Sequence, residues 1–306
     1  MSKKHPHTIT NKVSIIIVNY RSEEPLYACL KEMHTEKGFS HNIEIIIVNN
    51  GVGDINLFKK ISKFPKVTLV EPDKNLGFAA GVNLGITATK NNLILLLNPD
   101  TLVKPSAINT LVSCLMENKA GIVGGINYNF KKEKHSTFVR KPNIFTYLFD
   151  YTNLRKIVPN DYFHKKHYYL DESPPTSKKI VGAVSGSFML IERKVINQIG
   201  SFDERYFMYL EDVDYCLRAG KAGFKVLLCP KSIIKHVGGY SSKNKEKVNV
   251  GAWLESRRRY VFKNENLLIN LIIQPIFLID TVIIRILQQI KKNEKLFKLS
   301  SRAEPR

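Results

Sequence analysis

Residues 1–126 alternate between two hydrophobic periods. Short apolar, mostly β-branched runs stand at 13–18 (VSIIIV), 43–48 (IEIIIV), 67–70 and 93–97 (LILLL). Runs of this kind read as strands buried on both faces of a parallel sheet. Between them, residues 23–33, 55–62 and 78–89 carry helical spacing. Strand, helix, strand at this interval predicts βαβ units with right-handed crossovers. The fold class expected is therefore α/β with a mostly parallel central sheet. Such sheets hold ligands outside the carboxyl ends of their strands. Chemistry is expected just after each strand, at Asn19 and Tyr20, at Asn49, Asn50 and Gly51, and at Asn98, Pro99 and Asp100.

Residues 127–180 show no clean period. They hold Lys131, Lys132 and Lys134, then Tyr147, Phe149, Tyr151, Tyr162, Phe163, Tyr168 and Tyr169, then Pro174 and Pro175. This reads either as a surface insertion with its own aromatic cluster or as a basic aromatic loop over a substrate groove. Order returns with a predicted strand at 180–191 and a short helix at 193–199. An acidic and aromatic segment follows, GSFDERYFMYLEDVD (200–214), leading into a helix at 211–222. Its Glu211 and Asp212 fall at the helix start, where the macrodipole favours negative charge. Another strand is predicted at 224–229, with His236 beyond it.

Composition adds two constraints. Hydrophobic residues make up 43% of the 306, which supplies a sizeable core and excludes global disorder. Lys and Arg number 47 against 27 acids, a formal +20. The surplus is uneven: 14 basic and 10 acidic residues in 1–126, 26 and 14 in 127–266, 7 and 3 in 267–306. Anionic partners are expected, chiefly for the second half. Cys29, Cys114, Cys216 and Cys229 form no C-x-x-C pair, and the first eleven residues lack an apolar run. Both features point to a reduced, cytosolic chain without a signal peptide. No strand is followed by G-x-G-x-x-G, and no G-x-x-x-x-G-K-[ST] occurs, which disfavours a Rossmann dehydrogenase and a P-loop NTPase.

Taken in order, VSIIIVNYRS (13–22), IEIIIVNNGVGD (43–54), NLGFAAGVNLGI (75–86), LILLLNPDT (93–101), GAVSGSFMLI (182–191), GSFDERYFMYLEDVDYCLRAGKAGF (200–224) and HVGGYSS (236–242) resemble the inverting GT-A glycosyltransferases of family 2, rhamnosyltransferase-like branch. The similarity runs from about Val13 to about Asn264. It implies a donor site at Asn19, Tyr20, Asn49, Asn75, Gly77, Asn83 and Asp100. Asn49 stands where the family usually has Asp, which leaves base selectivity open. Asn98-Pro99-Asp100 resembles the family's metal-binding element, with Asp100 as principal ligand to Mn²⁺ or Mg²⁺ and His236 joining it. In the acidic pair, Asp212 takes the role of general base beside Glu211. Gly186 and Ser187 match the acceptor side. Arg259 and Lys263 match a basic segment able to clamp a diphosphate, or form a solvated cationic face.

The resemblance implies transfer of a sugar from a nucleotide donor, dTDP-L-rhamnose first, to a lipid-linked cell-surface polysaccharide. UDP-linked hexose, N-acetylhexosamine or galactofuranose donors are alternatives. A sugar nucleotidyltransferase would carry a Gly-rich basic loop after the first strand, where this chain reads Asn19-Tyr20-Arg21-Ser22. A nucleic-acid binder would fit the charge, but no recognised binding motif occurs. The organisation expected is a donor half (1–126), an acceptor and catalytic half (127–266) and a basic helical tail (267–306). In the tail, 267–290 is apolar but broken by Asn270, Gln274, Pro275, Asp280 and Arg285. It reads as an amphipathic helix on an anionic membrane surface, ahead of a core-packed or dimer-forming helix and of a span. That places the protein in the cytoplasm, peripheral to the membrane, with a homodimer possible and no nucleic-acid partner.

Overall fold

The computed structural model describes residues 12–34, 42–128, 134–135, 137–173, 175–236 and 246–300. Its strands are β1 (Val13–Asn19), β2 (Ile43–Asn49), β3 (Val67–Val70), β4 (Leu93–Leu97), β5 (Thr101–Leu102), β6 (Ile122–Tyr128), β7 (Lys134–His135), β8 (Phe138–Val139), β9 (Lys179–Ile180), β10 (Ala183–Val184), β11 (Phe188–Glu192) and β12 (Val226–His236). Its helices are α1 (Glu23–Met33), α2 (Ile55–Ile61), α3 (Gly77–Thr87), α4 (Pro105–Asn118), α5 (Ile144–Phe149), α6 (Tyr162–His167), α7 (Arg193–Ile199), α8 (Glu211–Lys221), α9 (Glu246–Asn264) and α10 (Leu267–Ser300).

One sheet runs in the order β3-β2-β1-β4-β11-β6-β12-β5, with β7 beside β6 and β9 beside β12. The first four members are parallel, in register from Val13 opposite Ile43 to Asn19 opposite Asn49. Their uninterrupted apolar runs follow from two-sided burial. Ile15, Ile17, Ile45 and Ile47 face a core shared with α1 and α4, whereas Ile16, Ile46 and Val48 face one shared with α3 and α8. The sequence boundary drawn at 126 falls inside β6, so both halves share this sheet.

The predicted strand at 180–191 is broken into β9, β10 and β11. The backbone N–H of Gly182 donates to Val139 in the 127–180 segment, and β10 pairs antiparallel with β8 rather than staying in the large sheet. A Cβ on Gly182 would stand 2.1 Å from the Lys141 nitrogen, so only glycine allows that approach. The strand expected at 224–229 continues to His236, with a register shift between Leu228 and Ile233. Strand β6 escapes a reading by pattern because Gly124 and Gly125 interrupt it. Val184 and Phe188 fill the space where those side chains would be.

The aromatic insertion divides between core and site. Tyr147 and Tyr151 are buried with Tyr206, Tyr260, Ile273 and Phe277 in a third cluster that joins α5, α9 and α10. The face of α10 turned to the protein carries Ile273, Phe277 and Asp280, and Asp280 is ion-paired with the fully buried Arg257 of α9. The outward side of the helix is apolar and exposed.

Candidate active site

At the carboxyl edge of β1, β2 and β4 lies a cavity of about 520 Å³. Parallel pairing brings three strand ends to one edge. Strand β11 runs antiparallel to β4, with Phe188 opposite Leu97, so it begins where β4 ends. Gly186 and Ser187 therefore sit beside Asn98, whose N–H donates to the Ser187 carbonyl at 3.1 Å. Asn127 Nδ2 donates to Ser187 Oγ at 2.9 Å and fixes that hydroxyl on the wall.

On the donor side the wall carries Tyr20, Ser22, Asn50, Asn75, Gly77 and Asp100. Asn75 Oδ1 accepts the Gly77 N–H at 2.9 Å, and Asn50 Nδ2 donates to the Gly77 carbonyl at 2.7 Å. Gly77 has φ +81°, and a Cβ there would lie 2.3 Å from the Phe207 carbonyl oxygen. That same oxygen accepts the Phe78 N–H at 2.7 Å. The start of α3 is thereby tied to the acidic and aromatic loop from the other half of the chain.

That loop delivers the carboxylates. Tyr209 and Leu210 both take positive φ, 76° and 64°, immediately before α8. Two consecutive left-handed non-glycine residues are costly and persist only where surrounding contacts hold them. They turn Glu211 and Asp212 into the cavity. Asp212 Oδ2 accepts the Gly186 N–H at 2.9 Å, and Oδ1 accepts the Val213 N–H at 2.8 Å. Burial raises the Asp212 pKa, and these N–H bonds oppose the rise. Glu211 is raised further, by burial first and then by the neighbouring Asp212 charge. Glu211 Oε2 has no hydrogen-bond partner among the described residues. Burial thus disfavours charge on both adjacent carboxylates, most strongly on Glu211, which also meets the Asp212 charge.

Asp100 is buried and lines the same cavity. His236 ends β12 with its backbone opposite Thr101, the residue after Asp100. Its side chain lies outside the described residues. Among the described residues no group of three His, Cys, Asp or Glu side chains converges on one point.

Five expected donor contacts sit elsewhere. Asn19 is fully buried behind the wall, where its Nδ2 donates to Glu23 and Asn49 and its Oδ1 accepts the Ser22 N–H. Asn49 donates to Glu71 at 3.1 Å. Asn83 locks the 200–204 turn: it donates to the Phe202 carbonyl and Glu204, and accepts the Phe202 N–H. Lys263 bridges Asp203 and Asp214, at 2.8 Å each. Arg259 pairs with Glu255 one turn away. None of the five lines the cavity. These polar groups are consumed by the frame that shapes the site. Asn50, at the second strand ending, and Tyr168, in the aromatic insertion, line the cavity where those patterns suggest, beside Phe78, Phe207 and Trp253. Trp253 carries no signal in the sequence, because the packing of α9 brings it there.

Fold and site together define a glycosyltransferase of the GT-A architecture. The chain belongs to glycosyltransferase family 2: residues 10–258 match the family described as glycosyltransferase like family 2. It is 27% identical over 215 residues to an N-acetylglucosaminyl-diphospho-decaprenol L-rhamnosyltransferase of Mycobacterium tuberculosis, covering 65% of this chain and 68% of that one. It is 26% identical over 238 residues to the rhamnosyltransferase WbbL of Escherichia coli (71% and 80% covered). With the dTDP-rhamnosyl transferase RfbF of Shigella flexneri it shares 24% over 265 residues (85% and 81%). Among solved structures, a mannosyltransferase from Pyrobaculum calidifontis in complex with GDP-Man and Mn²⁺ superposes with TM-score 0.56 at 12% identity, covering 86% of this chain and 69% of that one. GalNAc-T7 with UDP, GalNAc and Mn²⁺ gives 0.60 at 14%, covering 82% and 48%. These two likenesses are of fold.

Proposed function

We propose that this glycosyltransferase moves L-rhamnose from dTDP-rhamnose to a lipid-linked glycan on the cytosolic face of the membrane, with inversion at C1. The observation that carries the reaction class is Asp212, a half-buried carboxylate held by two backbone N–H groups on the cavity that Asp100 also lines. The named activities of the rhamnosyltransferase relatives support the donor and the lipid-linked acceptor.

Asp212 takes the proton of the acceptor hydroxyl as the oxygen attacks C1. The O–C1 bond forms while the bond from C1 to the diphosphate oxygen breaks, and the nucleoside diphosphate leaves. General base assistance of this kind contributes roughly 10²–10⁴ in rate. Asn75, Gly77 and the Asn50 amide shape the donor end, and Ser187 lies on the acceptor side. Asp100, a hard oxygen ligand on the cavity wall, would hold Mn²⁺ or Mg²⁺ together with donor phosphate oxygens, and the resemblance adds His236, whose backbone pairs with Thr101. When bound, such an ion stabilises the charge that develops on the leaving diphosphate.

Thermal-shift titration with nucleoside diphosphates in Mn²⁺ tests the donor. A larger shift with dTDP than with UDP is expected. A UDP preference would replace rhamnose by a UDP-linked sugar with the same mechanism. Calorimetry tests the metal role: Asp100→Ala should weaken Mn²⁺ binding in the presence of dTDP at least tenfold, and undiminished binding would remove Asp100 from that role.

A further inference from the structure

Helix α10 is strongly apolar, yet the rest of the protein covers little of it. Its segment Leu267–Ile290 is long and apolar enough to cross a membrane, yet only 17% of its most apolar window is buried. Ile273, Phe277 and Asp280 are buried against the domain, on one stripe of the helix. On the opposite side Leu268 is 72% exposed, Leu271 63%, Ile279 61% and Ile286 54%. Scattered apolar residues on a surface are ordinary, but a continuous face of this kind marks an interaction site.

Three features identify the occupant. First, the helix is fixed to the catalytic domain by Asp280 and Thr281 together with the buried Ile273 and Phe277. Arg257, fully buried in α9, ion-pairs with Asp280 and donates to Thr281 Oγ1 at 3.0 Å and to the Phe277 carbonyl at 3.2 Å. Asp280 also accepts from the Asn153 backbone at 2.9 Å and from its side chain at 3.1 Å. At 1.5 Å per residue these 24 residues extend about 36 Å, so length alone would allow a crossing of an apolar layer of about 30 Å. A crossing would have to carry Arg257, Asp280 and the attached α9 and insertion into hydrocarbon, which is expensive. Second, the charge matches an anionic surface and opposes a second copy of a +20 chain. Arg258 and Arg285 are exposed, and Lys291, Lys292, Lys295 and Lys298 follow in sequence. Third, the helix packs on the element that reaches the cavity. Trp253 lines the cavity and lies on α9, one turn before Arg257.

We propose that the outward face of α10 is a monotopic membrane-insertion surface, lying in the plane of an anionic bilayer and locked to the catalytic domain through Arg257 and Asp280. The helix's inward face, Ile273, Phe277 and Asp280, grips the protein, and its outward apolar face enters the lipid. The mouth by Trp253 is thereby brought down to the level of a lipid-borne acceptor. Only this last consequence rests on the glycosyltransferase reading.

The test is flotation of the full chain with vesicles of phosphatidylcholine and phosphatidylglycerol (7:3), alongside vesicles of phosphatidylcholine alone. The wild type should float with the anionic vesicles. Leu271→Glu, Ile279→Glu and Ile286→Glu combined should reduce the bound fraction at least tenfold. A milder triple variant to Gln should give an intermediate value. Both variants should keep the wild-type thermal transition and its shift with nucleoside diphosphate and Mn²⁺, which reads the active site independently of lipid. An epitope added after Arg306 should stay open to protease on protein bound from outside. No flotation of the wild type, or unchanged flotation of the glutamate variant, overturns the proposal. A protected epitope overturns it in favour of a span. A wild-type dimer that the same substitutions dissociate overturns it in favour of a second copy. Loss of nucleotide response in the wild type would count against the enzymatic reading and leave the lipid result standing.

Discussion

In the proposed reaction Asp212 is the base, and Glu211 lies buried beside it. Asp212→Asn should lower kcat by about 10²–10⁴ with nucleotide affinity nearly unchanged, read by steady-state kinetics and calorimetry. Because burial raises the Asp212 pKa, the acid limb of kcat/KM should lie above the ordinary aspartate value of about 3.9, and activity falls as pH drops through it. The same shift has a stability consequence of opposite sense. A carboxyl whose folded pKa exceeds its unfolded one destabilises the fold fully above the folded value, and this is relieved as pH falls toward the unfolded value. Glu211→Gln should therefore raise Tm at neutral pH, by about 2–4 °C if the relief is about 1 kcal/mol. Gly77→Ala should act in the other direction, costing about 1–3 kcal/mol, since a Cβ would meet the Phe207 carbonyl at 2.3 Å. Nucleotide response in a thermal-shift assay should fall with it. The carboxylate pair and Gly77 were legible in the sequence because each has a residue type its position demands. Asn19, Asn83 and Lys263 were not, since an amide or ammonium that binds ligand and one that braces a loop have the same letter.

At the scale of elements, buried polar joints tie α9 to α8 and to α10. Removing one partner of a buried ion pair strands the other, at a cost of about 3–5 kcal/mol, whereas replacing both by apolar groups is often neutral. Asp280→Ala should destabilise by that amount in chemical denaturation, and Arg257→Met with Asp280→Leu should recover most of it. Lys263→Met should lower Tm, because Asp214 is fully buried against it, while leaving the nucleotide dissociation constant unchanged. The parallel strands and α1, α2 and α3 follow from periodicity because each run is apolar on two faces or one. The segment at 180–191 does not, because its Gly182 and its pairing with β8 serve a contact more than forty residues away. The tail shows the same limit. Its period fixes a helix, but the partner on its polar side was an arginine of α9, which no periodicity of the tail contains.

For the whole molecule, the +20 charge is a long-range attraction to anionic surfaces, and salt should weaken it. Raising NaCl from 0.1 to 0.5 M shortens the screening length from about 10 Å to about half that. Vesicle association should slow and weaken in flotation, yet persist in part, since apolar insertion is insensitive to screening. The sequence by itself determined the α/β class and, through the order of its motifs, the family, because two-sided strand burial and motif order belong to the chain alone; it also marked Asn75, Gly77, Glu211 and Asp212 as candidates, and these line one cavity. Only the tertiary structure decided which polar residues face the cavity, that both halves share one sheet, and which side of the last helix meets the protein. Those outcomes depend on partners far along the chain, and the buried ion pair with Arg257 holds Asp280 inward where water would otherwise draw it out.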